Sequence, residues 1–244
     1  MNALTRWVLT GALAVAAVAP LSAETAGWTA DYNHLLGKYV TPSGVKYGEW
    51  KKNAADMQTL QKVVDAIAQE KISSLGKKEQ LAFYLNAYNA WILHEALEKY
   101  PTKSVKDLLF TFFTGKRIKV AGEQTSFNAL EKETIRSKFA DPHVHFALNC
   151  ASQSCPPLNP AAFEGGTVDA QMEKLAKAFV NSEKGVRLST DKKTAELSKI
   201  FDWYKDDFKN GGPLAFINQR RANPIPKDAK ITYQDYNWSL NEAK

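Results

Sequence analysis

Two cysteines are all this 244-residue chain contains, and both fall in one stretch, Cys150 and Cys155. A framework of several disulfides is therefore excluded, and so is any site built from paired C-x-x-C motifs. Runs of like charge are also missing. The net charge is +6, yet the basic residues come as scattered pairs, Lys77-Lys78, Lys192-Lys193 and Arg220-Arg221. Nucleic-acid binding calls for a clustered basic stripe with interleaved aromatics, and none is present. Long apolar runs are scarce as well. The only extended one is Val8 to Leu21, too short for a bilayer span of roughly 20 residues, and no cysteine follows it to carry a lipid. Internal repeats, low-complexity linkers and a regular helix–strand alternation are likewise absent.

What is there begins with a leader. Arg6 precedes the apolar run, and Ser22-Ala23 offers small residues ahead of Glu24. This order reads as a secretory signal peptide over residues 1–23, with a periplasmic or secreted location to follow. Residues 24–244 then form the mature chain with net charge +5, Arg6 being the one charge lost. The remaining 221 residues suit one domain with a sizeable core, and no integral membrane protein.

Periodicity places the elements. Met57, Leu60, Val63, Val64 and Ile67 predict an amphipathic helix over residues 54–69. Residues 79–100 predict a helix apolar nearly all round, the kind buried at the centre of a domain. Asn86 and Asn89 lie on it and need partners once buried. Val45 to Trp50 reads as a short extended piece after the turn Pro42-Ser43-Gly44. A hairpin is expected around Ala121-Gly122-Glu123, then a helix over 127–139 capped by Ser126. Val144, Phe146 and Leu148 read as one strand face, with His145, Ala147 and Asn149 on the other. Thr167 is expected to cap a helix bearing Met172, Leu175 and Phe179. Short strands are expected at 186–188 and 195–197, and Ser198 begins a helix through Phe208. Residues 214–220 form a last helix, and the aromatic tail 231–241 packs on the body. The fold class is α+β, a single domain with a central buried helix against a small, mostly antiparallel sheet.

Several segments resemble the bacterial and plant family called domain of unknown function 547. They are Tyr39-Val40 with Gly44-Val45-Lys46-Tyr47; Phe83-Tyr84-Leu85-Asn86-Ala87-Tyr88-Asn89-Ala90; Leu130-Glu131 with Ile135-Arg136; His145-Phe146-Ala147-Leu148-Asn149-Cys150-Ala151-Ser152-Gln153-Ser154-Cys155-Pro156; Leu197 to Phe208; and Tyr236-Asn237-Trp238-Ser239-Leu240-Asn241. The resemblance carries no activity of its own. In one place the chain departs from the family pattern, with Lys132 where a histidine commonly follows the glutamate. The family is also similar to papain- and transglutaminase-like cysteine enzymes, whose nucleophile begins a central helix. Here the central helix carries Asn86 and Asn89 instead, and the cysteines follow the histidine.

The candidate catalytic residues are Cys150, Cys155 and His145. Three readings of the cysteines stay open. They can form a disulfide, as an oxidising compartment favours. One can be a thiolate activated by His145. Both can be inert buried thiols. A zinc site of His145, Cys150 and Cys155, joined by His143 or His94, is a weaker fit to ligand spacing, so neither metal nor cofactor is expected. Asn86, Asn89, Glu131 and Arg136 are the candidate binding residues. Arg136 can clamp a carboxylate or serve structurally, at the Asp141-Pro142 turn or toward Glu131, five residues away on one helix. Asp202, Asp206 and Asp207 can do acid–base work or simply line a solvated face with one tertiary salt bridge. The leading function is a cysteine-dependent hydrolase or acyl transferase on peptide-like amide bonds. The alternative is a non-catalytic envelope binding protein using the same pocket with a structural disulfide. Either would take a small-molecule or peptide-like ligand.

The leader reading makes a direct prediction. Mass spectrometry of the envelope fraction should find a mature N-terminus near Glu24, and mature protein that still begins at Met1 would contradict it.

Overall fold

The computed structural model describes residues 27–244, apart from the side chains of residues 107–110. The leader expected over residues 1–23 lies outside the described residues. The chain opens with helix α1 (Trp28–Tyr39), a short hairpin β1 (Val40–Thr41) and β2 (Gly44–Val45), then α2 (Tyr47–Lys52) and α3 (Ala54–Gln69). The expected extended piece after Val45 is thus helical from Tyr47, and both Tyr47 and Trp50 are fully buried by it. Helix α3 has the bounds its periodicity predicts, and the Asn53 side chain caps it by accepting the Asp56 N–H at 3.1 Å.

Helix α4 (Lys77–Glu98) is the centre of the molecule. It buries fourteen side chains on all sides, Asn86 and Asn89 among them. Its neighbours are mainly helices, namely α2, α3, a helix over 127–139 and a later one at 168–180. It meets the sheet component where the Trp91 indole donates to the Lys119 carbonyl at 3.1 Å. Lys119 belongs to the second hairpin, β3 (Ile118–Val120) and β4 (Glu123–Thr125), which follows the short helix α5 (Leu109–Phe112).

The helix over 127–139 is one continuous rod with an unusual middle. It comprises α6 (Phe127–Ala129), a π-helical segment Leu130–Arg136 and α7 (Ser137–Phe139). Ser126 caps it as expected, accepting the Ala129 N–H at 3.1 Å. The i→i+5 bonding of a π turn brings residues five apart toward one side, where an α-helix would hold Glu131 and Arg136 apart.

The segment expected as a strand is instead a helical turn, α8 (Val144–Ala147). The Asp141-Pro142 pair starts it. Asp141 Oδ1 accepts the His143 N–H at 2.9 Å, and the Asp141 carbonyl accepts the Val144 N–H at 3.2 Å. The alternation of residue types carried no strand signal, because Val144, His145, Phe146 and Ala147 are all buried. Helix α9 (Val168–Val180) follows, with Thr167 bonded through its hydroxyl to the Gln171 side chain rather than acting as a cap. Strands β5 (Val186–Leu188), β6 (Thr194–Leu197) and β7 (Lys230–Tyr233) form a three-stranded sheet, antiparallel for the first pair and parallel for the second. The helix expected over 198–208 is broken at Tyr204 into α10 (Ile200–Trp203) and a 3₁₀ turn, Lys205–Asp207. Last comes α11 (Gly212–Asn218). The result is an α+β fold with two adjoining apolar clusters, one around α1, α3 and α4, the other around Phe146, Phe179, Phe201 and Phe216. Among the described residues no helix is long and apolar enough to cross a membrane.

Buried amides tie these pieces together. Asn86 grips the Phe163 backbone from both sides, donating to its carbonyl at 2.9 Å and accepting its N–H at 2.8 Å. Asn89 donates to the Ala147 carbonyl at 2.8 Å and accepts the Asn149 N–H at 2.9 Å. Asn149 in turn donates to the Pro156 carbonyl at 2.8 Å and accepts the Ala151 N–H at 2.9 Å. Asn241, from the C-terminal strap, donates to Asn149 Oδ1 at 3.2 Å and accepts the Tyr47 hydroxyl at 2.8 Å. The strap lies so close to β2 that a Cβ at Gly44 would collide with the Asn241 carbonyl oxygen.

Replacing Asn89 with leucine strands the Ala147 carbonyl and the Asn149 N–H in the interior. Each such loss costs about 1–3 kcal/mol, so Asn89→Leu should lower stability in urea denaturation by at least about 2 kcal/mol. A midpoint within error of wild type would refute the structural role.

Candidate functional site

A cleft of about 300 Å³ opens where the central helix, the π turn, α8, the cysteine loop, α10 and the C-terminal strap converge. Its wall is largely aromatic: Tyr88 from α4, Phe113 ahead of β3, Trp203 and Tyr204 from the α10 end, and Tyr236 and Trp238 from the strap. Trp203, Tyr236 and Trp238 form a cluster, with ring centroids 4.8 Å apart for Trp203–Tyr236 and 4.5 Å for Tyr236–Trp238. Trp203 is 47% exposed, unusual for so large an apolar side chain. The strap reaches the cleft because its backbone is sewn to the cysteine loop, Gln153 N–H to the Ser239 carbonyl at 2.8 Å and Asn241 N–H to the Ala151 carbonyl at 3.0 Å.

The two sulfurs lie in this wall, joined as a Cys150–Cys155 disulfide. The Tyr236 hydroxyl donates to Cys155 Sγ at 3.2 Å and receives the Ser152 hydroxyl at 3.0 Å. Burial pushes the Tyr236 phenol up to about 12, with the Ser152 bond pulling the other way and the Glu131 charge adding to the rise.

His145 also lines the cleft, but its polar contact points out of it. Nε2 lies 2.7 Å from Asp207 Oδ2, and the ring stacks on Tyr204 at 3.9 Å. Arg136 completes this unit with a bidentate bond to Asp207, Nε to Oδ2 at 2.7 Å and Nη2 to Oδ1 at 3.0 Å. It also stands 4.9 Å over the Tyr204 ring. Arg136 therefore serves Asp207 and not a cleft ligand, and Asp207 is the aspartate of the 198–208 segment that makes the tertiary salt bridge. The bonds from His145 and then Arg136 outweigh partial burial and hold the Asp207 carboxyl far below the usual carboxylate range.

Glu131 lines the cleft, and its Oε1 is buried without a hydrogen-bond partner. Burial raises the Tyr88 and Tyr204 phenols, the neighbouring Glu131 charge raises both further, and a hydrogen bond with the Glu131 carboxylate adds to the rise at Tyr204. Asn86 and Asn89, the other expected binding residues, do not line the cleft. They hold the backbone behind it. His94 is bonded to Gln61 at 2.8 Å on the far side of α4. His143 sits in a separate cluster with Asp141 at 2.6 Å and Glu173 at 2.9 Å. Among the described residues no group of three or more His, Cys, Asp or Glu side chains is placed to share a metal ion.

Sequence reasoning thus brought Cys150, Cys155, His145 and Glu131 into one site and missed most of its wall. Trp203 and Tyr204 were expected only as part of the 198–208 helix, and Tyr236 and Trp238 only as part of a tail packed on the body. A cue lay in their density within a terminus and a short helix. Residues 72–180 match the family model described as protein of unknown function, DUF547, a stretch running from just before α4 to the end of α9. Neither a curated protein nor a solved structure matches the chain, and none of these comparisons supports the likeness to papain- and transglutaminase-like enzymes.

The ionic unit behind the cleft makes a pH-dependent prediction. Because its folded pKa is depressed, Asp207 contributes stability above its unfolded value of about 3.9 and loses it as pH falls through the lower folded value. Asp207→Asn should cost about 1–3 kcal/mol near neutral pH, and the gap from wild type should close in acid below about pH 4. Denaturation curves that keep the same gap at all pH values would contradict this.

Proposed function

We propose, from the match of residues 72–180 to the DUF547 family model and from the cleft, that this is an exported binding protein that holds a small ligand in the aromatic cleft. The Cys150–Cys155 disulfide is then a fixed part of the cleft wall. That disulfide is the observation that carries the reading. A sulfur in a disulfide is not a thiolate and cannot attack an amide until it is reduced. A general base must also lie within hydrogen-bond reach of its nucleophile. His145 instead spends Nε2 on Asp207 and packs its ring face on Tyr204. Concave, mostly apolar walls with a few convergent polar groups are the usual character of small-ligand sites. Export agrees with the leader and with a disulfide that persists in an oxidising compartment.

The cysteine-dependent hydrolase or acyl transferase remains the second reading, favoured by one observation: both sulfurs and His145 line the same cleft. Reduction separates the two. The native protein should show no titratable thiol, release two with dithiothreitol, and hydrolyse no chromogenic peptide amide in either state. The Cys150→Ser, Cys155→Ser double variant should lose about 2 kcal/mol of stability, the loop-closure value for so small a ring. A reduced form whose thiol alkylates faster than free cysteine, slows in His145→Ala and gains amidase activity would overturn the binding reading in favour of the enzyme.

A further inference from the structure

The chemistry of the cleft also selects its occupant, an inference that rests on the binding reading above. Among the described residues that line the cleft, Glu131 is the one acidic side chain, and lysine and arginine do not occur. Its Oε1 is withdrawn from solvent and accepts no hydrogen bond. A carboxylate with an oxygen in this state is costly, and a cation that pairs with the Glu131 carboxylate offsets that cost. Arg136, on which the Glu131 charge acts from the same π turn, is already committed: it holds Asp207 with two hydrogen bonds. His145, which does line the cleft, is bonded to the same aspartate.

The rest of the wall favours positive charge for a second, independent reason. Faces of tryptophan and tyrosine rings attract cations through their quadrupole, tryptophan most strongly. Trp203, Tyr236 and Trp238 crowd together on one side of the cleft, with Trp203 half exposed. One cation of the chain itself, the Lys106 ammonium, already stands 5.7 Å from the centroid of the Trp238 ring. A carboxylate ligand would meet Glu131 as a like charge, and a purely apolar ligand would leave its charge unpaired.

We propose that the cleft binds a small organic cation, an amine whose ammonium group pairs with the Glu131 carboxylate while its apolar body lies against Trp203, Tyr236 and Trp238. The charge then comes from the π turn, and the ring contacts come from the α10 end and the C-terminal strap.

The test is isothermal titration of the full oxidised mature chain at pH 7 with three probes of one shape, benzylamine, benzyl alcohol and benzoate. Benzylamine should bind at least tenfold more tightly than the alcohol, and benzoate more weakly than either. Glu131→Gln should remove the advantage of the amine while the alcohol stays within threefold of its wild-type affinity. The comparison of probes on wild type decides the matter even if the variant folds poorly. Equal binding of amine and alcohol would overturn the cation assignment and leave a binding cleft. No saturable binding of any probe would overturn both.

Discussion

The interaction on which the rest depends is the amide relay from Asn89 through Asn149 to Asn241. Helix α4 would form from its apolar content alone, but nothing in that content says what backbone should lie against it. Asn89 supplies the instruction, because its donor and acceptor fit the Ala147 carbonyl and the Asn149 N–H. Asn149 repeats the device one layer out, and Asn241 fastens the strap to it. All three side chains are buried, so each unmade bond would cost its full desolvation. A satisfied polar network of this kind specifies one arrangement where apolar packing would tolerate several.

The relay explains why the cleft exists. It fixes α8 with His145, the cysteine loop with its disulfide, and the strap with Tyr236 and Trp238. None of these segments has enough regular structure to hold itself in place. Behind them, Arg136 and Asp207 anchor His145 and the α10 end through hydrogen bonds to the Asp207 carboxylate. The front of the cleft is then left to aromatic faces and Glu131. Polar groups serve as scaffold on one side and line the cleft on the other, and the π turn carries one of each in Arg136 and Glu131.

Helices long enough to show a period were legible in the sequence. The 54–69 helix and the 127–139 rod fall where their apolar spacing puts them, the second with the Ser126 cap expected of it. Short segments were not. Residues 144–149 alternate by type, but every side chain from Val144 to Ala147 is buried, so tertiary surroundings and the Asp141-Pro142 turn decided the conformation. Tyr47–Lys52 went the same way. The π segment inside the 127–139 rod has no sequence signal of its own, and it brings Glu131 and Arg136 toward one side. Asn86 and Asn89 were legible as buried amides needing partners, yet their partners, Phe163, Ala147 and Asn149, lie 58 to 77 residues away. Such distant pairings leave no trace in local pattern.

Native-state amide hydrogen exchange on the oxidised mature protein tests the relay most directly. If Asn89, Asn149 and Asn241 hold α8, the cysteine loop and the strap as one unit, the backbone amides of Asn149, Ala151 and Asn241 should exchange slowly and with a common opening free energy. A strap amide at Asn241 that exchanges orders of magnitude faster than those of Asn149 and Ala151 would contradict the account, because the strap would then open independently of the amides said to fasten it.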